Sequence, residues 1–444
     1  MIKPLLLFLQ KIHMKKTVFI LSVFLCQFAM AQNKMLTMQD AFVNVRTTLA
    51  PETLKQLQFI KGTNEYVYLK KVNDVMTFVK GDFKSNGEAA FVTLPQLNDK
   101  LKSAGLSAVE NFPAVQFGKE EWVMSIKGSK IALNPVTNTY KTLVDKSVAD
   151  KQHAEESKAG YIAYVDSDNL FVTDGKNARK VTTDGSKDIV YASSVHREEF
   201  GISKGTFWSN NGKQLAFYRM DQSMVNDYPI IDWSQQPAKN ENIKYPMAGG
   251  KSHEVTVGVY NAVSGSVVYL KTGLPAEQYL TNIAWTPDDQ FVIIAVLNRQ
   301  QNHMKLNQYN ASTGEFVKTL FEEKDDKYVE PLVPVLFVKN NPNQIIWQSK
   351  RDGWNHLYLY NSNGKLIKQL TSGNWEVLES KGFDESGQNL FYISTQESPI
   401  TKNLYSVNLS TGVSTRITTA TGLHNTFIST DGKFVIDNFS NTAT

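Results

Sequence analysis

Cysteine is almost missing from this chain of 444 residues: the one thiol is Cys26. It lies in an N-terminal leader, so no disulfide framework and no cysteine-ligated metal site is expected in the remainder. Histidine is scarce too, and the 7 residues are scattered, with no two at the short spacing a helix or strand uses to grip a metal. No glycine-rich loop leads from a strand into a helix, so no phosphate cradle is expected and no cofactor is called for. Net charge is also small. The formal +4 comes from four lysines of the leader (Lys3, Lys11, Lys15, Lys16), and without them Lys plus Arg equals the 43 acids. The basic balance therefore gives no support to nucleic-acid binding. Long apolar runs are lacking: Val18 to Phe28 is too short to span a bilayer. Finally, no helical pattern alternates with strands after about residue 110, which argues against a parallel α/β domain there.

The leader itself is informative. Met14-Lys15-Lys16, the apolar run and then Ala29-Met30-Ala31 read as a secretory signal over residues 1–31, cleaved before Gln32. Residues 1–13 read as an upstream extension, with Met14 as the start. The expected address is secreted or periplasmic, with no membrane span after cleavage. Residues 32–60 look helical or irregular, because Met38, Ala41, Phe42 and Val45 recur at spacings of three and four. Leu94 to Leu106 reads as a helix-like insert.

The rest, residues 61–444, is short strands. One series of polar turns contains Asn210-Asn211-Gly212, Asp288-Asp289, Glu385-Ser386-Gly387 and Thr430-Asp431-Gly432. A second contains Ser264-Gly265, Ser312-Thr313-Gly314, Ser362-Asn363-Gly364 and Ser410-Thr411-Gly412, recurring at about 50 residues, the size of a four-stranded propeller blade. A sandwich or barrel would also use many short strands, but the regular period favours an all-β propeller. Such an architecture lets a chain too long for one core bury its faces blade against blade. The turns alone support six or seven blades.

The chain is organised around Val195 to Asp221. Glu198 and Glu199 stand in a polar run closed by Phe200 and Gly201, followed by Thr206-Phe207-Trp208, the turn Ser209-Asn210-Asn211-Gly212 and the strand Gln214 to Tyr218. This stretch resembles the dipeptidyl peptidase IV family of serine exopeptidases, in which a Glu-Glu pair before a Trp-Ser-x-Asn-Gly turn binds the free amino terminus of the substrate. Further landmarks follow in family order: Tyr245-Pro246-x-Ala248-Gly249, Trp285, Leu297-Asn298-Arg299-Gln300-Gln301-Asn302, Arg351 through Tyr358, Asn374-Trp375-Glu376-Val377 and Asn403-Leu404-Tyr405. The resemblance covers residues 161–444. It implies a propeller of about eight four-stranded blades, preceded by a short helical or irregular segment, and Glu198 and Glu199 as the site for a peptide amino terminus. It also implies release of Xaa-Pro or Xaa-Ala dipeptides.

Each candidate has a plainer alternative. Glu-Glu pairs are common on solvated loops; the flanking motif is what favours a binding site here. His196-Arg197 stand where several family members carry a further Glu, and Arg197 is placed to neutralise one carboxylate when no peptide is bound. Gly201-Ile202-Ser203-Lys204-Gly205 matches the G-x-S-x-G nucleophile elbow, but no buried strand precedes it and no helix follows, so Ser203 is not expected to be a nucleophile. The insertion Asp227 to Tyr245 carries Ile230, Ile231 and Trp233; the resemblance implies a homodimer arm, the alternative being a hairpin folded on its own blade. The family's nucleophile lies in a C-terminal α/β-hydrolase domain, a partner expected to be absent from these residues, so no catalytic residue and no peptidase activity is expected of them alone. A stand-alone propeller that binds peptides or proteins, or the propeller of a tripeptidyl peptidase, would share these features.

Overall fold

The computed structural model describes residues 35–50 and 53–441; the expected signal over residues 1–31 lies outside them. Contacts divide the chain near residue 55 into two units. In the first, the helix Met38–Phe42 starts at Thr37, whose hydroxyl accepts from the Asp40 N–H at 3.0 Å while the Asp40 carboxylate accepts from the Thr37 N–H at 3.1 Å. A 3₁₀ turn, Asn44–Arg46, follows. Among the described residues no helix is long and apolar enough to cross a membrane.

In the second unit, antiparallel strands come as consecutive meanders, each a sheet of four strands in chain order. They cover residues 55–93, 115–144, 152–180, 189–269, 279–324, 336–369 and 377–416. The fourth sheet gains a fifth strand because its first strand is interrupted. The strand Lys55–Phe59 already belongs to the first sheet, so strand structure begins before the residue 61 expected from the sequence. The last strands, such as Ala178–Lys180 and Ser414–Arg416, are solvent-exposed, whereas first strands such as Tyr279–Trp285 are almost wholly buried. That order, first strand inward and fourth strand outward, is the arrangement of a propeller blade.

The first and second sheets, and each consecutive pair from the third onward, share cores, while the second and third are tied by the Lys130–Glu156 ion pair at 2.9 Å. Val67 and Phe78 pack with Phe117 and Trp122, Leu170 and Val172 with Leu215 and Phe217, and Val257 and Val259 with Leu280 and Ile294. The pattern continues through Leu306 with Trp347, Leu359 with Leu390, and Leu404 with Ile428. The helix Leu94–Ser103, expected as an insert, buries Leu97 and Leu101 in the first of these cores. Among the described residues this is a propeller arrangement of seven blades, where about eight were expected. After the seventh comes a two-stranded sheet, Leu423–Ile428 paired with Val435–Ser440. Its Phe434 stacks on Phe83 of the first blade, ring centroids 4.9 Å apart, so the end of the blade series meets its beginning.

Both series of turns join strands as expected. Those at residues 210–212, 288–289, 385–387 and 430–432 connect first to second strands, and the Ser-Gly series connects third to fourth. The Trp208–Gly212 region does more than turn. The Asp289 carboxylate, 5% exposed, accepts from the Asn210 N–H at 2.7 Å, the Asn210 side-chain amide at 2.8 Å and the Asn211 N–H at 2.8 Å. The Trp285 indole donates to the Phe207 carbonyl at 2.9 Å, and the Trp208 indole to the Glu155 carbonyl at 3.2 Å. One hairpin thus ties the third, fourth and fifth blades together and fixes the loop that precedes it.

Candidate functional site

The innermost strand of the fourth blade is split. Ile189–Tyr191 pairs with Arg219–Asp221 and Thr206–Trp208 pairs with Leu215–Phe217, leaving only Tyr218 between them. The Ala192 N–H donates to the Tyr218 carbonyl at 2.9 Å and the Tyr218 N–H donates to the Gly205 carbonyl at 3.0 Å. Residues 192–205 therefore leave and re-enter the sheet at one residue, forming a loop with a closed neck. At that neck, a Cβ on Gly205 would overlap the backbone of Ala192 and Ser193.

Within the loop, burial alternates with exposure in a way that fixes its tip. Val195, His196, Phe200 and Ile202 are buried, while Arg197, Glu198 and Glu199 are exposed. Val195 and Ile202 join the core between the fourth and fifth blades. Phe200 enters the core between the fifth and sixth, against Tyr279 and Val329. Burial of such side chains is worth about 1.5–3 kcal/mol each. It holds an unusual backbone: His196, Arg197, Glu198 and Phe200 have φ of 52°, 56°, 64° and 57°. A left-handed residue other than glycine costs about 1–2 kcal/mol, so the tip persists only because its flanks over-determine it. Gly201, at φ 73°, lies so close to the Leu332 carbonyl that a side chain would not fit.

The two carboxylates are left open. Glu198 accepts from the Ser194 hydroxyl at 3.0 Å, and the Glu199 carboxylate has no hydrogen bond or ion pair among the described residues. Arg197 does not neutralise them: its guanidinium lies over the Tyr245 ring, 4.5 Å from the centroid. A second cation, Arg299, donates to the Tyr279 hydroxyl, which also accepts from the Gln301 amide at 3.1 Å. The Tyr279 ring meets His196 and Phe200 edge-on, at centroid distances of 5.0 and 5.1 Å. Burial first, and then the neighbouring His253 and Arg299 charges, hold His196 well below the usual imidazole range. Burial, then Arg197 and Arg299, bring His253 down to about 4.

Several of the sequence landmarks thus converge on the loop: Tyr245 under Arg197, and Arg299 with Gln301 behind Tyr279. Others are structural. Trp375 packs edge-on against His356, 4.7 Å between centroids, and the Glu376 carboxylate accepts from the Asn355 N–H at 2.7 Å. Arg351 lies over the Tyr358 ring at 4.3 Å and pairs with Glu323. Ser203 is exposed in the loop and leads directly into the strand Thr206–Trp208, without the following helix a nucleophile elbow requires. Among the described residues no cluster of three or more His, Cys, Asp or Glu side chains is arranged to hold a metal. The sequence reading did not single out His196 and His253 as a pair, since nothing in a one-dimensional spacing brings together residues on different parts of one blade; the only signal was a histidine standing where a further Glu was anticipated.

Ile230, Ile231 and Trp233 lie on a separate hairpin, Asp227–Asp232 paired with Lys239–Lys244, which forms its own two-stranded sheet. Trp233 is 79% exposed and Ile231 51%, so the hairpin does not bury them on its own blade.

Comparison with known proteins gives a consistent picture. The profile of the family described as dipeptidyl peptidase IV (DPP IV) N-terminal region matches residues 114–444. A probable dipeptidyl-aminopeptidase B of Talaromyces marneffei is 26% identical over 281 residues, covering 56% of this chain and 31% of the relative. A probable dipeptidyl peptidase 4 of Aspergillus flavus is 26% identical over 293 residues, 61% of this chain and 37% of the relative. Among solved structures, a putative dipeptidyl aminopeptidase IV from Bacteroides ovatus superposes with a TM-score of 0.79 at 35% identity over 88% of this chain and 57% of that one. The dipeptidyl peptidase 4 of Porphyromonas gingivalis shares the fold, with a TM-score of 0.70 at 23% identity over 90% of this chain and 58% of that one. The chain thus spans about a third of the length of these curated relatives and rather more than half of the solved ones.

Proposed function

Because this chain belongs to the dipeptidyl peptidase IV N-terminal-region family, we propose that it is the substrate-binding propeller of an exported serine-type dipeptidyl peptidase, with Glu198 and Glu199 receiving the protonated amino terminus of a peptide. The observation that carries this reading is the loop tip: two exposed carboxylates with no ion pair among the described residues, Glu198 left-handed and Glu199 extended, in a turn whose His196, Arg197 and Phe200 are also left-handed and whose flanks are buried. Adjacent carboxylates repel, and a cation between them relieves the repulsion. An ammonium group supplies both charge and three donors, each contact being worth about 1.5–3 kcal/mol where water is partly excluded. Strain in the tip serves pre-organisation: the carboxylates need not be ordered when the peptide arrives.

Held by its amine, a peptide presents its second residue and the bond after it at a fixed distance. The loop is a ruler, and it presents the bond to be cut to a following α/β-hydrolase domain that acts as the propeller's partner. The substrate class is peptides with a free amino terminus, released as Xaa-Pro or Xaa-Ala dipeptides. The two-stranded sheet Leu423–Ser440 is the beginning of an eighth blade, and the hairpin with Ile230, Ile231 and Trp233 is an arm for a second copy of the chain.

The amine reading is tested by titrating the chain with Ala-Pro amide and with its N-acetylated form. Glu198→Gln and Glu199→Gln should each weaken the free-amine peptide by about tenfold or more, and acetylation should abolish binding. Equal binding of the two peptides, or binding indifferent to both substitutions, would refute it. In a longer chain that carries the hydrolase domain, Glu199→Gln should lower kcat/KM for dipeptidyl substrates by a similar factor or more.

A further inference from the structure

His196 immediately precedes the exposed tip, and its ring is fully engaged behind it. The His196 Nε2 lies 3.1 Å from the Leu280 backbone nitrogen, and its Nδ1 lies 3.1 Å from His253 Nε2. A backbone N–H only donates, so Nε2 of His196 must be the lone-pair nitrogen. The neutral ring then carries its proton on Nδ1 and donates it to His253 Nε2, which leaves His253 protonated on Nδ1. Each hydrogen in this chain has one place. A proton added to His196 would face the Leu280 N–H, and a proton added to His253 Nε2 would face the His196 N–H.

The connection also spans blades. His253 leads into the strand Glu254–Asn261 of the fourth blade, while Leu280 belongs to the innermost strand of the fifth. Both rings are nearly solvent-free, 3% and 5% exposed. The charged groups around them are Arg197 on the tip and Arg299 from the 298–302 turn, both cations, with Tyr279 edge-on to His196. On the side of His253, Glu277 accepts from the Ser252 N–H at 2.9 Å and Glu254 follows in sequence.

We infer that His196 and His253 are positioning residues for the glutamate tip, acting through the one-directional hydrogen-bond chain from Leu280 N–H to His196 to His253, which exists only while both rings are uncharged. Left-handed geometry at His196, Arg197 and Glu198 is set by where the His196 ring is anchored, so the relay determines which way the two carboxylates point. The consequence for binding rests on the amine-site reading above; the proton assignment does not.

The two are separable by experiment. Long-range ¹H–¹⁵N spectra of the histidine-labelled chain should show His196 protonated on Nδ1 and bare on Nε2, and unchanged when the pH is lowered from about 7 to about 5. A proton on Nε2, or a doubly protonated ring in that range, overturns the relay. His253→Gln sets an amide oxygen where the accepting nitrogen stood, whereas His253→Leu removes the acceptor. Affinity for Ala-Pro amide should fall about tenfold in His253→Leu and stay within about twofold of the parent in His253→Gln. Parent-like binding by His253→Leu, or equal losses in both variants, overturns the positioning role. If instead Glu198→Gln and Glu199→Gln leave binding unchanged, the amine reading fails, and the nitrogen spectra still decide the relay.

Discussion

A single hydrogen is enough to make the loop sensitive to acid. The folded chain holds His253 down at about 4 and His196 well below the usual range, against 6.5 for an unperturbed imidazole. The unfolded chain therefore binds more protons between those limits, and stability rises with pH wherever that is so. The contribution is fully present above about pH 6.5 and is lost as pH falls through about 4. Urea midpoints measured across that interval should drop, and His253→Gln should flatten the drop because one of the two titrating rings is gone. A parallel curve for the variant would remove His253 as a source. The neck gives a second residue-level prediction. A methyl on Gly205 meets backbone atoms of Ala192 and Ser193, which cannot swing aside as a side chain can. Gly205→Ala should cost about 2–3 kcal/mol in urea unfolding, and a loss under about 0.5 kcal/mol would mean that the neck is looser than its hydrogen bonds indicate.

Hairpins carry the next level of organisation, because their tips also join blades. Asp289 gathers three donors from Asn210 and Asn211 across the interface of the fourth and fifth blades while nearly buried. Bonds to a charged acceptor are worth about 1.5–3 kcal/mol each, and their removal leaves three donors to find water in a crowded place. Asp289→Ala should lower stability by about 2–4 kcal/mol and leave far-ultraviolet circular dichroism unchanged below the transition; a neutral substitution would show that the blades dock without the tip. These tips were legible in the sequence as turns, because Asn-Gly and Ser-Gly steps announce positive φ locally, as at Gly212 and Gly265. Their cross-blade role was not, since Asn210 and Asp289 carry no mark of each other. The same holds for the site. Glu198 and Glu199 stood out by type and by flanking motif, whereas the histidine relay and the Arg197–Tyr245 contact depend on three-dimensional closure of the loop. Arg197 illustrates the error that follows: adjacency suggested a carboxylate partner, and the left-handed turn sends the guanidinium to an aromatic ring instead.

For the molecule as a whole, the sequence period gave blade size, and the structure settles how blades meet. Among the described residues seven sheets follow one another in chain order, and Phe83 against Phe434 brings the last described strands to the first blade. One element stands apart from this arrangement. The hairpin Asp227–Lys244 shares no sheet with any blade and exposes Tyr228, Ile230, Ile231, Trp233 and Ile243. A two-stranded hairpin is marginal in water by itself, and contiguous exposed apolar surface of this kind is characteristic of an interface. Trp and Ile at the centre of such a contact dominate its energy, each truncation costing about 2 kcal/mol or more. In a symmetric pair the same residue is lost twice, once from each arm. Under the arm proposal the chain is therefore dimeric by light scattering at micromolar concentration. Ile231→Asp together with Trp233→Asp then gives a monomer with unchanged circular dichroism, because neither side chain belongs to a blade core. A dimer that persists in the double variant would move the interface elsewhere on the propeller and leave the hairpin without an assigned partner.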